Sequence, residues 1–509
     1  MIEPGLNVDL PLQQLMLEVT VSDEYYSVVT QQTWFNSSDQ AVEIHYTLPL
    51  PRNAILLELT GQIGEQQLVA SVKGKERAEE EYENAMSEGN SAIHLQQLKD
   101  GLWGLSLGNL AAGEKLTLNY RWNHWNRWQG RQLRLYIPTT IAPKYGKSPL
   151  SDEFIPDIAL NATIPLQCRL IIDSASGLVA GEWQSPSHPL RTEVQGYTFA
   201  EGAEPDRDII FTFTAQQPPQ NHLIAVTDDD YGYFQIMRWQ IPAESPEQHP
   251  EPTGIDATLW LVVDCSGSMA GDSIAVAKTA LRQIIEQLPE QQPVNMLAFG
   301  SSTRHFSQQP LQVSAAWRKA AIAWVDELDA NLGGTDLQSA LNLIFQQQQR
   351  QSSRIVLLTD GAVWKEESLL KQLKREPAQI YTIGIGSAVS ESLVRALAEA
   401  SGGECELVNP REDMVEIIKR QTYRACQPII TAQLTHSGFK QAPPKTTLPH
   451  FNQLWPQANK KQKLTLPLGE MVSVTHHLPD LPASWQLHLP KGQIVTLLQT
   501  ETPITNRDL

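Results

Sequence analysis

The chain has 509 residues, a length that predicts two or three domains. Its composition, with 41% hydrophobic and 19% charged residues, is ordinary for a globular protein that builds a substantial core. The net charge of −18 argues against a nucleic-acid or anionic-membrane partner, because both demand a basic surface.

The N-terminus and the cysteines indicate where the protein works. Residues 1–16 lack the basic and apolar segments of a signal peptide, and no apolar stretch reaches the roughly 18–20 residues that a membrane span needs. Four cysteines lie far apart and match no zinc pattern: Cys168, Cys265, Cys405 and Cys426. Because so few thiols are typical of a reducing compartment, we expect a cytoplasmic protein.

Residues 1 to about 140 have the alternating pattern of half-buried strands. Leu17, Val19 and Val21 alternate with polar residues. A later strand places four apolar residues on one face, namely Leu116, Leu118, Tyr120 and Trp122. One helix is predicted from Lys75 to Met86, and its acidic run is interpreted as a solvated face.

Residues 141–250 continue as strand-like segments separated by turns. Asp228–Asp230 lacks the alternating spacing of an EF-hand calcium loop, so we interpret it as a turn between strands. Pro242–Thr253 is rich in proline and glutamate and is predicted to be a linker. Beyond Cys426, short strands and prolines predict a small β-structured tail.

Strands and helices alternate after the linker. Strands are predicted at Thr258–Val263, Val294–Phe299, Ile355–Leu358, Ile380–Ile385 and Glu404–Val408. Helices are predicted at Asp272–Leu288, Ala315–Leu328, Leu337–Gln347, Glu367–Lys374, Glu391–Glu399 and Glu412–Gln421. This alternation predicts right-handed crossovers and a doubly wound α/β sheet, which binds ligands beyond the carboxyl ends of its strands.

Polar residues follow the first of these strands. The apolar run Leu259–Val263 ends in Asp264, and Ser266 and Ser268 follow at alternate positions. A run without alternation predicts a strand buried on both faces. Carboxylate and hydroxyl oxygens suit Mg²⁺, Mn²⁺ or Ca²⁺. Asp-x-Ser-x-Ser alone is a weak signal, since serine-rich turns after strands are common.

Two later segments strengthen this signal. Thr335 lies in the glycine-rich turn NLGGTD, directly before a predicted helix. Asp360 ends a second apolar strand, in RIVLLTDG. Because the carboxyl ends of parallel strands meet at one edge of a sheet, two such strands and a threonine loop can converge on one ion.

Together these residues resemble the metal-ion-dependent adhesion site of von Willebrand factor type A domains, over about Asp256 to Gln421. The resemblance implies a bound Mg²⁺, Mn²⁺ or Ca²⁺, with hydroxyl ligands and two carboxylates that bind directly or through water: Asp264, Ser266, Ser268, Thr335 and Asp360. It also implies that the two strands ending in aspartate are neighbours, and that a partner protein supplies an Asp or Glu to the ion.

A second resemblance covers the N-terminal region. Lys73-Gly74-Lys75 leads into Ala78, Tyr82 and Ala85, followed by Trp103 and the segment LGNLAAGEKLTLNY, residues 107–120. These features are similar to a vault protein inter-alpha-trypsin (VIT) domain. The resemblance implies a β-sandwich-like fold with Gly113 in the hairpin before the last strand.

The two resemblances together predict an α+β multidomain protein. We expect an all-β VIT domain at 1–140, a β-rich connecting region at 141–250 that packs with it, an α/β von Willebrand domain at 255–421 and a C-terminal β region at 422–509. The layout is similar to inter-alpha-trypsin inhibitor heavy chains and their intracellular and bacterial relatives. Leu448 stands where the heavy chains have an ester-forming Asp, so hyaluronan attachment is not expected.

The favoured function is a metal-dependent protein-binding module that is not an enzyme. One alternative is a metal-dependent hydrolase in which the ion activates water and His305 is a candidate base. Another is an adaptor subunit of a MoxR-type AAA+ ATPase complex. The sequence has neither a glycine-rich phosphate loop nor a His-Glu-x-x-His motif. Cys265, between two site positions, is interpreted as a buried packing residue rather than a redox switch.

Overall fold

A computed structural model of the chain describes residues 12–505, with gaps at 100, 127, 130, 142–149, 156–162, 175, 217–221, 229–231, 241–256, 348–352, 362–365, 374, 377, 387–390, 409–413, 427–428, 437–461, 468–470, 479–483, 489–493 and 499–503. The predicted linker Pro242–Thr253 and the segment Leu448–Phe451 lie outside the described residues. The chain divides into two compact units. The first contains residues 1–126, 134–214 and 256–425, and the second contains residues 127–133, 215–255 and 426–509.

Strands dominate the first half of the chain. The elements are β1 (Leu12–Val21), β2 (Tyr25–Phe35), β3 (Val42–Pro49), β4 (Ile55–Ile63), β5 (Gln66–Val69), α1 (Lys75–Ser87), β6 (Ala92–Lys99), β7 (Leu102–Leu110), β8 (Lys115–Trp125), β9 (Trp128–Gln129), β10 (Gln132–Ile137), β11 (Leu166–Ile172), β12 (Glu182–Gln184), β13 (Leu190–Glu193), β14 (Gly196–Phe199), β15 (Ile209–Thr214), β16 (His222–Asp228) and β17 (Gly232–Gln240). Short 3₁₀ turns span Asp152–Phe154 and Gly177–Ala180.

Three sheets build the N-terminal β region. Their strand orders are β13-β14-β11-β1-β2-β8-β4-β5, β3-β7-β6 and β12-β15-β10-β9. The predicted inner face of β1 is buried at Leu17, Val19 and Val21, as is the face of β8 that carries Trp122. Gly113 has φ +74° in the hairpin between β7 and β8, a conformation that glycine adopts without strain. The all-β prediction for this region is therefore confirmed.

The second half of the first unit alternates between strands and helices. Its elements are β18 (Thr258–Asp264), a 3₁₀ turn (Gly267–Met269), α2 (Asp272–Gln287), β19 (Pro293–Phe299), β20 (Thr303–His305), β21 (Leu311–Gln312), α3 (Ala315–Asp326), α4 (Leu337–Gln347), β22 (Ser353–Thr359), α5 (Glu366–Leu373), β23 (Ala378–Ile385), α6 (Glu391–Ser401), β24 (Cys405–Val408) and α7 (Met414–Cys426). All predicted elements of this region are present.

These strands form one sheet in the order β20-β19-β18-β22-β23-β24, with β21 paired to β19. Five neighbouring strands are mutually parallel, namely β19, β18, β22, β23 and β24. The short strands β20 and β21 run antiparallel to β19. β18 and β22 are neighbours, with Val263 opposite Leu358. The ends of the two strands that lead to Asp264 and Asp360 therefore meet at one edge, as the sequence predicted.

The last helix is longer at its C-terminus than the prediction of Glu412–Gln421. It runs from Met414 to Cys426, and Thr422, Arg424 and Cys426 are buried. The prediction was wrong there because Arg424 is buried against a carboxylate, that of Glu406 on β24.

The β region contacts this α/β domain through β10. Tyr136 packs against four buried residues of α6 and β24, namely Val394, Ala398, Cys405 and Leu407. The Tyr136 hydroxyl also donates a hydrogen bond of 2.6 Å to the buried Asp208 carboxylate. Arg52 and Glu399 form an ion pair of 3.7 Å. The α6–β24 side of the sheet is therefore covered by the protein's own β region.

The second unit is built from strands. Its later elements are β25 (Ile429–His436), β26 (Gln462–Pro467), β27 (Met471–Leu478), β28 (Ser484–His488), β29 (Ile494–Leu498) and β30 (Ile504–Thr505). They form sheets in the orders β27-β17-β16-β30 and β26-β25-β28-β29, which confirms the β-structured tail. Asp228 ends β16, while Asp229 and Asp230 lie outside the described residues. Within the described part of the chain, no helix is both long and apolar enough to cross a membrane.

Candidate metal centre

The first part of the candidate site is the turn that follows β18. Asp264 and Ser266 are both fully buried. The Asp264 Oδ1 atom accepts a hydrogen bond of 2.9 Å from the Ser266 backbone N–H, a side-chain to backbone contact that stabilises tight turns. The Ser266 and Ser268 hydroxyls lie 3.1 Å apart. The buried Met269 anchors the end of the turn, so the three predicted oxygen donors of this segment are held together.

The neighbouring strand β22 holds the other oxygen of the same carboxylate. Thr359, 1% exposed, donates a hydrogen bond of 2.7 Å from its hydroxyl to Asp264 Oδ2. The Gly361 backbone N–H donates to the Thr359 hydroxyl at 3.0 Å. Asp360, between them, is 9% exposed. Thr359 was not among the residues predicted from the sequence, although it directly precedes Asp360 at the end of the neighbouring strand.

Backbone hydrogen bonds join the threonine loop to this turn. The Gly267 N–H donates to the Gly333 carbonyl at 2.8 Å, and the Leu332 N–H donates to the Cys265 carbonyl at 3.0 Å. Gly333 has φ +83°, which is accessible to glycine at little cost. The Thr335 hydroxyl oxygen is buried and has no hydrogen-bond partner. An unpaired buried hydroxyl is costly, so this atom points to a missing ligand.

A third loop, after β19, also holds the threonine loop in place, and it was not predicted from the sequence. The Ser301 N–H donates to the Leu332 carbonyl at 2.7 Å, and the Ser301 hydroxyl accepts from the Gly334 N–H at 2.8 Å. A Cβ atom at Gly300 would lie 2.5 Å from the Leu332 carbonyl oxygen, so the close approach requires glycine. Because these contacts are made mainly by backbone atoms, the only sign of this loop in the sequence is Gly300-Ser301-Ser302, which is not a specific signal.

The electrostatics of the site favour a cation. Burial, followed by the charge of Asp360, raises the pKa of Asp264 to about 6. The hydrogen bonds that Ser266 and Thr359 donate to Asp264 lower this pKa, but burial and the charge of Asp360 outweigh them. Burial, and then the Asp264 charge, raises the pKa of the Cys265 thiol to about 12. Cys265 is 1% exposed and remains a thiol, which fits a packing residue and not a reactive one.

The residues present fit a hard divalent cation. Two carboxylates balance a 2+ charge, and the orphaned Thr335 hydroxyl joins those of Ser266 and Ser268 as neutral oxygen donors. Among the described residues there is no cluster of three or more His, Cys, Asp or Glu side chains suited to a metal. The hydroxyl oxygens would therefore complete the ligand set, as Mg²⁺ tolerates and Zn²⁺ disfavours.

Replacing Thr359 by valine is expected to weaken Mg²⁺ binding by about 10–100-fold, a usual range for residues that orient a metal ligand. The variant keeps the shape of the side chain but removes the hydroxyl that holds Asp264 Oδ2 and accepts from Gly361. Isothermal titration calorimetry of both proteins measures the change. Thr279→Val is the matched control, since the Thr279 hydroxyl bonds only within its own helix. Unchanged affinity in Thr359→Val would show that Thr359 does not position the carboxylate.

Two family models match the chain, one in its N-terminal β region and one in its α/β domain. The vault protein inter-alpha-trypsin domain matches residues 12–121, and the von Willebrand factor type A domain matches residues 257–407. The chain combines a VIT domain with a von Willebrand factor type A domain. The matched segments lie inside the predicted domains at 1–140 and 255–421, whose outer boundaries stay predictions.

Relatives with the same domain are known. The chain is 24% identical over 427 residues to von Willebrand factor A domain-containing protein DDB_G0292016 of Dictyostelium discoideum, covering 82% of this chain and 45% of the relative. It is 23% identical over 458 residues to the human von Willebrand factor A domain-containing protein 5A, covering 83% of this chain and 58% of the relative. The chain spans about half the length of the curated relatives it matches.

Among solved structures, a von Willebrand factor type A protein from Catenulispora acidiphila is 17% identical and covers 54% of this chain and 70% of its own, with a TM-score of 0.38.

Proposed function

We propose that this protein is a metal-ion-dependent binding module that captures an acidic residue of a partner protein. The observation that carries the proposal is the buried Thr335 hydroxyl without a partner. Its loop is hydrogen-bonded to the turn that carries Asp264, a carboxylate whose pKa is raised by burial and by a second carboxylate. Both features are costly in isolation and are relieved by one divalent cation. Mg²⁺ is the proposed ion, with Mn²⁺ and Ca²⁺ as substitutes.

The chain's own residues would hold the ion and leave one side open. Asp264 and Asp360 would neutralise its charge, while the Ser266, Ser268 and Thr335 hydroxyls add oxygen donors without adding charge. When bound, the ion is electrophilic and accepts a further carboxylate oxygen in place of a water. The Thr359 hydroxyl and the Ser266 N–H fix the Asp264 carboxylate, so little ordering would be needed when a partner arrives.

Hydrolysis is the less favoured alternative. His305, the candidate base, lies on β20 opposite Leu297 of β19. Asp264 is paired with Phe299, two residues further along β19. Among the described residues, no side-chain hydrogen bond or ion pair joins His305 to a site residue. An adaptor role in an AAA+ ATPase complex is a narrower form of the favoured proposal, and the cytoplasmic location stays a prediction.

The test is capture of partner proteins by the immobilised full chain in Mg²⁺, followed by elution with EDTA. We expect proteins that EDTA releases and that an Asp264→Asn column does not retain. A matched column of Asp326→Asn, an exposed carboxylate paired with Arg282, should retain them. In each captured partner, changing one Asp or Glu to its amide should abolish binding. Partners that remain bound both in EDTA and on the Asp264→Asn column would refute the proposal.

A further inference from the structure

Three exposed aspartates border the loops of the candidate metal site: Asp272, Asp329 and Asp336. Asp336 directly follows Thr335, and its N–H donates to the Gly300 carbonyl at 3.0 Å. Asp272 begins α2, which follows the turn that carries Ser268. Asp329 lies three residues before Leu332, whose N–H donates to the Cys265 carbonyl at 3.0 Å. The rim of the site therefore carries three carboxylates besides the two proposed ligands.

Within the described residues, none of the three rim carboxylates forms an ion pair. Asp329 accepts only the Ala330 N–H, at 2.8 Å, and Asp336 accepts the N–H and hydroxyl of Ser339 at 3.1 and 2.7 Å. These neutral donors leave the charges in place. The neighbouring acidic residues differ, since Asp326 pairs with Arg282 and Glu327 pairs with Arg304.

The basic side chains close to this rim are already engaged. Arg304 pairs with Glu327 and lies over the Trp324 ring, 5.6 Å from its centroid. The Lys278 ammonium donates to the backbone carbonyls of Asp326 and Leu328, at 2.9 and 3.0 Å. Glu327 balances the charge of Arg304, whereas Lys278 keeps its charge because backbone carbonyls are neutral. Three rim carboxylates against one ammonium still leave an excess of negative charge.

We infer that the site selects a carboxylate that is flanked by basic residues and rejects one within an acidic stretch. This inference rests on the proposed function and names the chemistry of the partner. Asp264 and Asp360 would balance the charge of a 2+ ion, and the open coordination position would accept one incoming carboxylate. The three rim aspartates repel further carboxylates and attract lysine or arginine next to it. The net charge of −18 acts in the same direction at longer range.

The test uses the full chain loaded with Mn²⁺ and an immobilised library of peptides. Each peptide has one central Asp with lysine, serine or glutamate on both sides. We expect Mn²⁺-dependent capture to favour lysine over glutamate by about tenfold at low salt, and the preference to shrink in 0.5 M NaCl, about the range in which surface charges are screened. The double variant Asp272→Asn/Asp329→Asn should still capture the serine-flanked peptide in an EDTA-sensitive manner and should lose most of the preference. The matched control Asp326→Asn/Glu327→Gln should keep more of the lysine preference than the rim variant does, because Asp326 and Glu327 are already paired with arginines.

The outcomes separate the inferred charge selectivity from the proposed function on which it rests. EDTA-sensitive capture that ignores the flanking residues, or favours glutamate, overturns the inference and leaves the proposed function standing. A lysine preference that the rim variant does not reduce also overturns it. If no peptide with a central Asp is captured in an EDTA-sensitive manner, the proposed function fails and the inference fails with it.

Discussion

Replacing Glu406 by glutamine is expected to lower the free energy of unfolding by about 3–5 kcal/mol, the usual cost of removing one partner from a buried ion pair. Glu406 lies on β24 and is 2% exposed. Its carboxylate accepts from Arg420 Nε at 2.8 Å and Nη2 at 3.1 Å, and from Arg424 Nη1 at 2.7 Å. Glutamine would remove the charge that both guanidiniums of α7 share, so α7 would lose one of its anchors on the sheet.

The same residue predicts a response to acid. Burial alone would raise the pKa of Glu406, but the Arg420 and Arg424 charges outweigh burial, and the pKa lies below its ordinary value of 4.5. A carboxyl whose pKa is lower in the folded state stabilises the fold above pH 4.5. That contribution is lost as the pH falls from 4.5 through the folded pKa. Glu406→Gln should therefore lack this part of the acid sensitivity.

Urea denaturation at pH 7 and at stepwise lower pH measures both effects. Glu399→Gln is the matched control, because Glu399 is partly exposed and pairs with Arg52 at 3.7 Å. Because the Glu399 side chain stays in contact with water, its loss is expected to cost about 1 kcal/mol or less. If Glu406→Gln costs no more than Glu399→Gln, the three-residue cluster does not hold α7.

Replacing Asp264 by asparagine is expected to reduce Mg²⁺ affinity by at least about 100-fold and to stabilise the metal-free protein by about 1–3 kcal/mol. The carboxylate is fully buried beside Asp360, and its pKa of about 6 shows that the charged form is disfavoured there. An amide keeps an oxygen for the Ser266 N–H and removes the charge. The residue is therefore predicted to serve binding at the expense of the stability of the metal-free protein.

Thermal unfolding of the metal-stripped wild type and Asp264→Asn tests this trade-off. Without metal, Asp264→Asn should melt at a higher temperature than the wild type. Added Mg²⁺ should raise the melting temperature of the wild type but not that of Asp264→Asn, since a ligand stabilises only a state that binds it. Asp326→Asn should behave as the wild type does. A variant that melts at a lower temperature than the metal-free wild type would show that Asp264 is mainly structural.

Much of the fold follows from local patterns in the sequence. The unbroken apolar run before Asp264 predicts a strand buried on both faces, and β18 is buried from Leu259 to Asp264. The alternation of Leu17, Val19 and Val21 predicts one inner face, which is buried. Spacing alone also brought Asp264, Ser266 and Ser268 into one turn, because they are close in the chain.

The features that could not be predicted from the sequence depend on contacts between residues that are far apart in the chain. Thr359 holds Asp264 across 95 positions of the chain. Ser301 clamps the Thr335 loop mainly through backbone atoms, which every residue type has. Arg424 extends α7 only because Glu406 is buried opposite it. The packing of Tyr136 against α6 and β24 likewise has no local signal, since a single tyrosine fits either face of a strand.

The central claim is that a divalent cation binds at Asp264, Thr335 and Asp360, and calorimetric titration of the metal-stripped protein with Mg²⁺ tests it most directly. Asp264→Asn, Asp360→Asn and Thr335→Val are titrated beside the wild type, with Asp326→Asn as the matched control. We predict saturable binding at one site in the wild type and the control, lost in both aspartate variants and weakened in Thr335→Val. Equal binding in all five proteins, or none in the folded wild type, would contradict the claim.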